Sequence, residues 1–164
     1  MNMRVINSKG ANLKPDLIRK ISEVTSQESS LSYRSVEILK KTNLILAIDG
    51  KEKICGWIEY YKIWKNWWGL STLFVFPRYR GQKIGKAILI PAGVKTLKDK
   101  KIFSSVTDKK IGQVLQNYGF RETKLNELST GILLKVMLVR YGNLKSFIKL
   151  FKLSKKGLQY FVKC

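Results

Sequence analysis

The run Leu73-Phe74-Val75-Phe76-Pro77-Arg78-Tyr79-Arg80-Gly81-Gln82-Lys83-Ile84-Gly85-Lys86-Ala87-Ile88-Leu89 puts an apolar strand, a proline stop, a basic glycine-containing turn and a helix start side by side. The first amides of a helix have no partner within it, and the helix dipole adds positive potential at that end. With Arg80, Lys83 and Lys86 they make an anion site suited to a diphosphate, which Gly81 and Gly85 let the backbone approach closely. The stretch lacks the Lys-Ser/Thr ending of a P-loop and the three glycines of a dinucleotide fingerprint. A nucleotide triphosphatase and a nicotinamide dehydrogenase are thereby disfavoured. The plain alternative is a glycine that only packs a helix on a sheet.

Within this run, Gln82-Lys83-Ile84-Gly85-Lys86-Ala87 resembles the acyl-CoA site of the GNAT superfamily of N-acetyltransferases, whose pattern is Gln or Arg, two residues, Gly, one residue, Gly or Ala. A second, weaker stretch is similar to the family's continuation. Ile102 to Val106 reads as a short buried strand and Thr107-Asp108 as a helix start; Ile111, Val114, Leu115 and Tyr118 fall at helical spacing, and Gly119-Phe120 is a glycine stop. The resemblance covers roughly residues 43 to 125. It implies an α/β fold with a mixed central sheet flanked by helices, and acetyl-CoA as co-substrate. The amides of Arg80, Gly81, Gln82, Lys83, Ile84, Gly85, Lys86 and Ala87 would grip the pyrophosphate. The strand before the turn and the strand after its helix would splay apart, with Phe74, Val75 and Phe76 offering backbone groups to pantetheine and to the acetyl carbonyl. The implied reaction is direct attack by a substrate amine on the thioester, helped by main-chain donors at the acetyl oxygen. Where the family often carries a tyrosine that protonates the departing thiolate, this chain has Leu115, and Tyr118, one helical turn on, is the nearest phenol for that role.

An attacking amine must lose a proton, and acidic residues are few. Glu59, in Gly56-Trp57-Ile58-Glu59-Tyr60-Tyr61, is the leading candidate for a general base, directly or through water. The competing view is a solvent-facing carboxylate paired with one of many lysines. Asp108 sits at a strand end, where a helix cap explains it equally well. Ser104, Ser105 and Thr107 are candidates to line a cleft. With no histidine in the chain, a serine–histidine dyad, other histidine chemistry and a zinc site are all disfavoured or excluded. Trp57, Trp64, Trp67 and Trp68 crowd around one hairpin with Tyr60 and Tyr61, as cross-strand packing or as an aromatic wall beside a substrate.

The elements that must position these groups are legible as punctuation and period. Arg4 to Asn7 reads as a first strand. Lys14 to Ser26 reads as a helix with Leu17, Ile18, Ile21 and Val24 on one face and proline in its first turn. Ser32 to Lys41 suits a second short helix. Asn43 to Asp49 and Lys53 to Lys62 read as a hairpin around Asp49-Gly50, and Lys65-Asn66 turns into the strand Trp67 to Phe76. Later, Ile132 to Val139 looks strand-like. Strands before, helix across, strand, helix and strand after make an α/β sandwich with a mixed sheet.

At 164 residues, the chain suits one acetyltransferase-like domain over 1–142 with a basic extension over 143–164. No run of eighteen or more apolar residues and no charged-then-apolar leader is evident, and Cys55 and Cys164 do not make a disulfide framework. The reading is therefore a cytoplasmic protein. The net charge of +21 would attract coenzyme A, nucleic acid or an anionic membrane surface and repel polyamines. In the tail, Leu144, Phe147, Ile148, Phe151, Leu158, Phe161 and Val162 fit one helical face, with lysines on the others. Such a stripe suits docking on the domain's own sheet, a second copy in a homodimer, a membrane surface or RNA phosphates. The acceptor is an unidentified small-molecule or protein amine; the competing class is a basic nucleic-acid-binding module on the same fold with little catalysis.

Overall fold

The computed structural model describes residues 3–28, 31, 33–141 and 157–164. Among these residues, seven strands form one mixed sheet. They are β1 (Arg4–Lys9), β2 (Asn43–Ile48), β3 (Ile54–Trp64), β4 (Trp67–Val75), β5 (Lys101–Val106), β6 (Arg121–Thr123) and β7 (Gln159–Lys163). The order across the sheet is β1-β2-β3-β4-β5-β7-β6, and β4 with β5 is its one parallel pair among the described residues. Helices α1 (Pro15–Gln27), α2 (Val36–Lys41), α3 (Ile90–Thr96), α4 (Lys109–Asn117) and α5 (Thr130–Tyr141) cover it.

Both faces of the centre are buried, which explains the unbroken apolar run of β2. Leu44, Leu46 and Ile48 pack with Ile18, Ile21 and Leu39 of α1 and α2, while Ile45 and Ala47 turn to the other face, with Ile90 and Val94 of α3. The helix ends follow local chemistry. Pro15 opens α1, Ser35 Oγ accepts the Ile38 amide ahead of α2, and Asp108 Oδ1 accepts the Lys110 amide at 2.8 Å ahead of α4. Gly119 ends α4 in the left-handed region, at φ 81°.

Two expectations fail. Residues 130–141 form a helix, not a strand: Ile132 and Val136, one turn apart, are buried against β3, β5 and β7, whereas Leu134, Lys135 and Leu138 are exposed. An apolar run does not reveal its own period, and twelve residues suit a helix better than a strand. Residues 159–163 are the strand β7, inserted between β5 and β6, not the end of a helix. Phe161 and Val162 are both buried, each in a different hydrophobic cluster, so two-sided burial imitates a helical stripe. The proposed helical stripe at Leu144, Phe147, Ile148 and Phe151 lies outside the described residues. Among those described, no helix is long and apolar enough to cross a membrane.

Candidate active site

β4 and β5 pair only from Trp67↔Lys101 to Leu70↔Ser104. Beyond that point they part, and a cleft of 610 Å³ opens between them. The parting has a local cause. On its other side β4 pairs Trp57 with Phe74 but Glu59 with Ser71, so β4 carries one residue more than β3 across this step. The extra residue is accommodated at Thr72, whose φ is +50°, an uncommon value for a β-branched side chain. Such a bulge bends the strand and increases its twist, which here takes the end of β4 off its neighbour.

The edge exposed by the parting carries polar backbone. The Phe76 amide donates to the Cys55 carbonyl at 2.9 Å, on the β3 side. Strand alternation puts Phe74 on that same side and leaves Val75 and Leu73 facing the cleft. Of the three residues expected to offer backbone to a ligand, only Val75 is so placed, and Leu73 replaces the other two. Its side chain and those of Thr72, Phe74 and Val75 line the cleft.

At the mouth lies the basic turn. The Arg80 amide donates to Pro77 and the Ala87 amide to Lys83, but the amides of residues 81–86 have no protein acceptor among the described residues. Gly81 at φ 81° and Lys83 at φ 59° are both left-handed, a sequence that curls successive N–H groups into an anion-binding concavity. Nothing lies within 4 Å of a Cβ built on Gly81, so conformation rather than space requires glycine there. At Gly85 a Cβ would sit 3.3 Å from Leu73 Cδ2, so this glycine sets how closely the helix start approaches β4. The helix opens with a π turn over Gly85–Leu89 before Pro91, which has no amide to continue a regular ladder. Gly81, Lys83, Ile84, Gly85 and Lys86 line the cleft; Gln82 and Ala87 are exposed and do not.

Arg80 has a bracing role. Its Nε donates to the Val75 carbonyl at 3.1 Å and its Nη2 to Glu28 Oε1 at 3.4 Å, joining the turn to β4 and to the end of α1. Tyr79, one residue earlier, also ties the turn down, its hydroxyl donating to Asp49 Oδ2 at 2.7 Å. That bond, and then desolvation, push the Tyr79 phenol up to about 12, and the same bond holds the Asp49 carboxyl below its ordinary value. The other wall comes from Ser105, Val106, Thr107, Asp108 and Ile111, with Asp108 engaged as the α4 cap.

Glu59 does not line this cleft. It is fully buried on the sheet face shared with Trp57, and its Oε2 accepts Arg34 Nε at 2.9 Å. Arg34, also buried, extends Nη2 to Ser71 Oγ at 3.5 Å, next to the bulge. A solvent-facing carboxylate is therefore excluded, and Arg34 holds Glu59 within the core. Tyr118 is at the opposite end of α4 from the cleft, roughly 10 Å along the axis from Ile111. Its carbonyl accepts Lys163 Nζ at 2.7 Å, and Leu115 is in the core. The tryptophans also lie off the cleft: Trp57 packs on Phe74 at 4.7 Å, Trp64 pairs with Trp67, and Trp68 lies beside Tyr60. Glu28, Leu31, Thr72, Leu73, Tyr79 and Leu158 are cleft residues that sequence reasoning missed. Leu73 opens the run read for the anion site and Tyr79 lies inside its basic turn, so both had a signal; Thr72 belongs to the bulge just before that run, and Glu28, Leu31 and Leu158 come from distant elements.

A model of the acetyltransferase (GNAT) family matches residues 16–100, just over half of the chain. Among curated proteins none matches. A GNAT-family acetyltransferase from Staphylococcus aureus Mu50 superposes with a TM-score of 0.62 at 19% identity, over 99% of this chain and 98% of that one. A Mycobacterium tuberculosis protein solved with CoA gives 0.66 at 15% identity, over 96% and 97%. Spermidine N-acetyltransferase from Vibrio cholerae, solved with CoA and spermine, gives 0.56 at 15%, over 73% and 82%.

Proposed function

The chain belongs to the GNAT family of acetyltransferases, and on that premise we propose that it transfers the acetyl group of acetyl-CoA to the nitrogen of a small-molecule amine. The observation that carries this reading is the coincidence of two features. The free amides of residues 81–86 converge at the mouth of the cleft where β4 and β5 part. A diphosphate on those amides, with Lys83 and Lys86 beside it, directs the pantetheine arm along the open β4 edge at Leu73 and Val75. Solved neighbours that bind CoA together with spermine, or with N-acetyl-glutamate, support a small amine as acceptor.

The chain contributes mainly position. An N–H on the open edge of β4 polarises the acetyl carbonyl and stabilises negative charge as the amine adds, and this donor is already oriented by the sheet. The thiolate that departs has a conjugate acid near the ordinary thiol value of about 8.5, so water is a sufficient proton source. This account needs neither Tyr118 nor Glu59 at the reacting atoms.

Acetyl-CoA at about a hundredfold excess over its Kd would add about 2.7 kcal/mol, or roughly 5–10 °C in Tm for a domain of this size. Release of free thiol in the presence of an amine completes the test. No thermal shift with acetyl-CoA or CoA, alongside a salt-sensitive shift with an oligonucleotide, would favour a nucleic-acid-binding module instead.

A further inference from the structure

A second concavity, of 400 Å³, adjoins the first across Glu28 and Phe74, the two residues that wall both. Val24, Gln27, Phe76 and Pro77 complete it. Phe74 and Phe76 meet edge-on at 5.2 Å, so one side is an aromatic corner. The proposed acyl donor leaves this space unused, since the phosphate turn and the parted strands both open into the first cleft. Glu28 is the one acidic residue among the described residues on its walls, and its side chain is 35% exposed. The other carboxylate of the first cleft, Asp108, is engaged as a helix cap, and Glu59 is sealed against Arg34.

Resting on the acetyl-transfer reading above, we propose that this second concavity receives the acceptor, a monoamine with an apolar or aromatic body, and that Glu28 takes the amine's proton. The ammonium enters at the Glu28 carboxylate, where the two spaces meet, and the apolar body lies against Phe74, Phe76 and Val24. The ammonium gives one proton to Glu28, which frees the nitrogen lone pair to form the N–C bond at the acetyl carbonyl carbon. The C–S bond breaks with its electrons on sulfur, the second N–H proton passes through water to the thiolate, and Glu28 returns its proton to solvent, leaving a neutral amide and a free thiol. Charge narrows the class further. Lys20 Nζ stands 5.4 Å over the Phe76 ring, and the chain carries +21 overall, so a second ammonium on the acceptor is repelled. A glutamate acceptor would set a charge, not an apolar body, against Phe74, Phe76 and Val24. Polyamines and acidic amino acids are accordingly poor acceptors.

The test is thiol release from acetyl-CoA with phenethylamine, tryptamine and hexylamine set against spermidine and glutamate. The first three are expected to exceed the last two by roughly tenfold or more in kcat/KM. Glu28→Gln keeps an oxygen for Arg80, so the acetyl-CoA thermal shift persists while turnover falls about a hundredfold, with Glu28→Asp partly restoring it. Val24→Phe fills the concavity and raises KM for the amine while leaving that for acetyl-CoA. Preference for spermidine or glutamate overturns the proposal. So does Glu28→Gln turnover within threefold of native, or acetyl-CoA binding with no monoamine acetylated. A native chain that gives no acetyl-CoA shift defeats the transferase reading instead, so the two failures are distinct.

Discussion

The Arg34–Glu59 pair gives the sharpest test of how the cleft is held open. Both side chains are buried, at 2% and 0% exposure, and joined at 2.9 Å; Glu59 Oε1 has no hydrogen-bond partner among the described residues. Arg34→Met removes the hydrogen-bond partner of a carboxylate that is already under-satisfied. Breaking a buried pair in this way costs about 3–5 kcal/mol. For a domain of this size that corresponds to a fall in Tm of roughly 6–20 °C. Removing both charges, in Arg34→Met with Glu59→Leu, leaves no stranded ion and is expected to cost less than either single change. Urea unfolding of the four proteins, read as midpoints at constant slope, closes the cycle. Because Arg34 Nη2 reaches Ser71 beside the bulge at Thr72, the single variant is also expected to lose turnover at temperatures where it stays folded. Two results would contradict a buried, coupled pair: a single-variant cost below about 1 kcal/mol, or a double variant whose cost equals the sum of the singles. Glu59→Gln separates the roles cleanly, since a catalytic base would lose activity at unchanged stability whereas a structural partner loses stability first.

Three further outcomes follow from the geometry of the turn and its neighbouring strands. Gly56→Ala drives a Cβ into the Phe74 carbonyl oxygen, so β4 must shift and stability should fall by about 1–3 kcal/mol in chemical unfolding; a neutral result would contradict the close strand contact. Gly81→Ala meets no neighbour but must keep φ at 81°, which costs roughly 1–2 kcal/mol and should weaken acetyl-CoA binding measured by calorimetry, whereas unchanged affinity would argue against the amide cradle. Tyr79→Phe removes the bond that lowers the Asp49 carboxyl. In the native protein that lowering contributes stability above the ordinary carboxylate value near 4, lost as pH falls through the lowered folded value; the raised phenol contributes fully below about 10, lost as pH rises through about 12. The variant should lose both limbs, with the Asp49 carboxyl moving up in an NMR titration, and an unmoved Asp49 would remove the tie between the turn and the β2–β3 hairpin.

Much of the site was written locally, because the groups involved are the backbone of one continuous segment. Strand, proline, left-handed glycine and helix start over residues 73–89 are consequences of residue type and spacing, and so are the amides they leave free. The Asp108 cap, the Gly119 stop, the period of α1 and the hairpin after Asp49 were legible for the same reason: each depends on neighbours within a few positions. The errors arose where burial, not local preference, chose the state. Ile132 to Val139 and the residues after Leu158 are apolar without a clear period, and only what covers each face made one a helix and the other a strand between β5 and β6. The cleft itself belongs to the assembled sheet. Its width depends on a bulge at Thr72 that no local rule favours, its far wall on β5 and α4, and one of its two acidic residues, Glu28, on the end of α1. Glu59 shows the division most plainly: sequence marks it as a scarce carboxylate in a strand, and the partner that determines its role, Arg34, lies across the fold in a distant segment. Local chemistry fixes what a short segment offers to a ligand; long-range packing decides which offers face the same space.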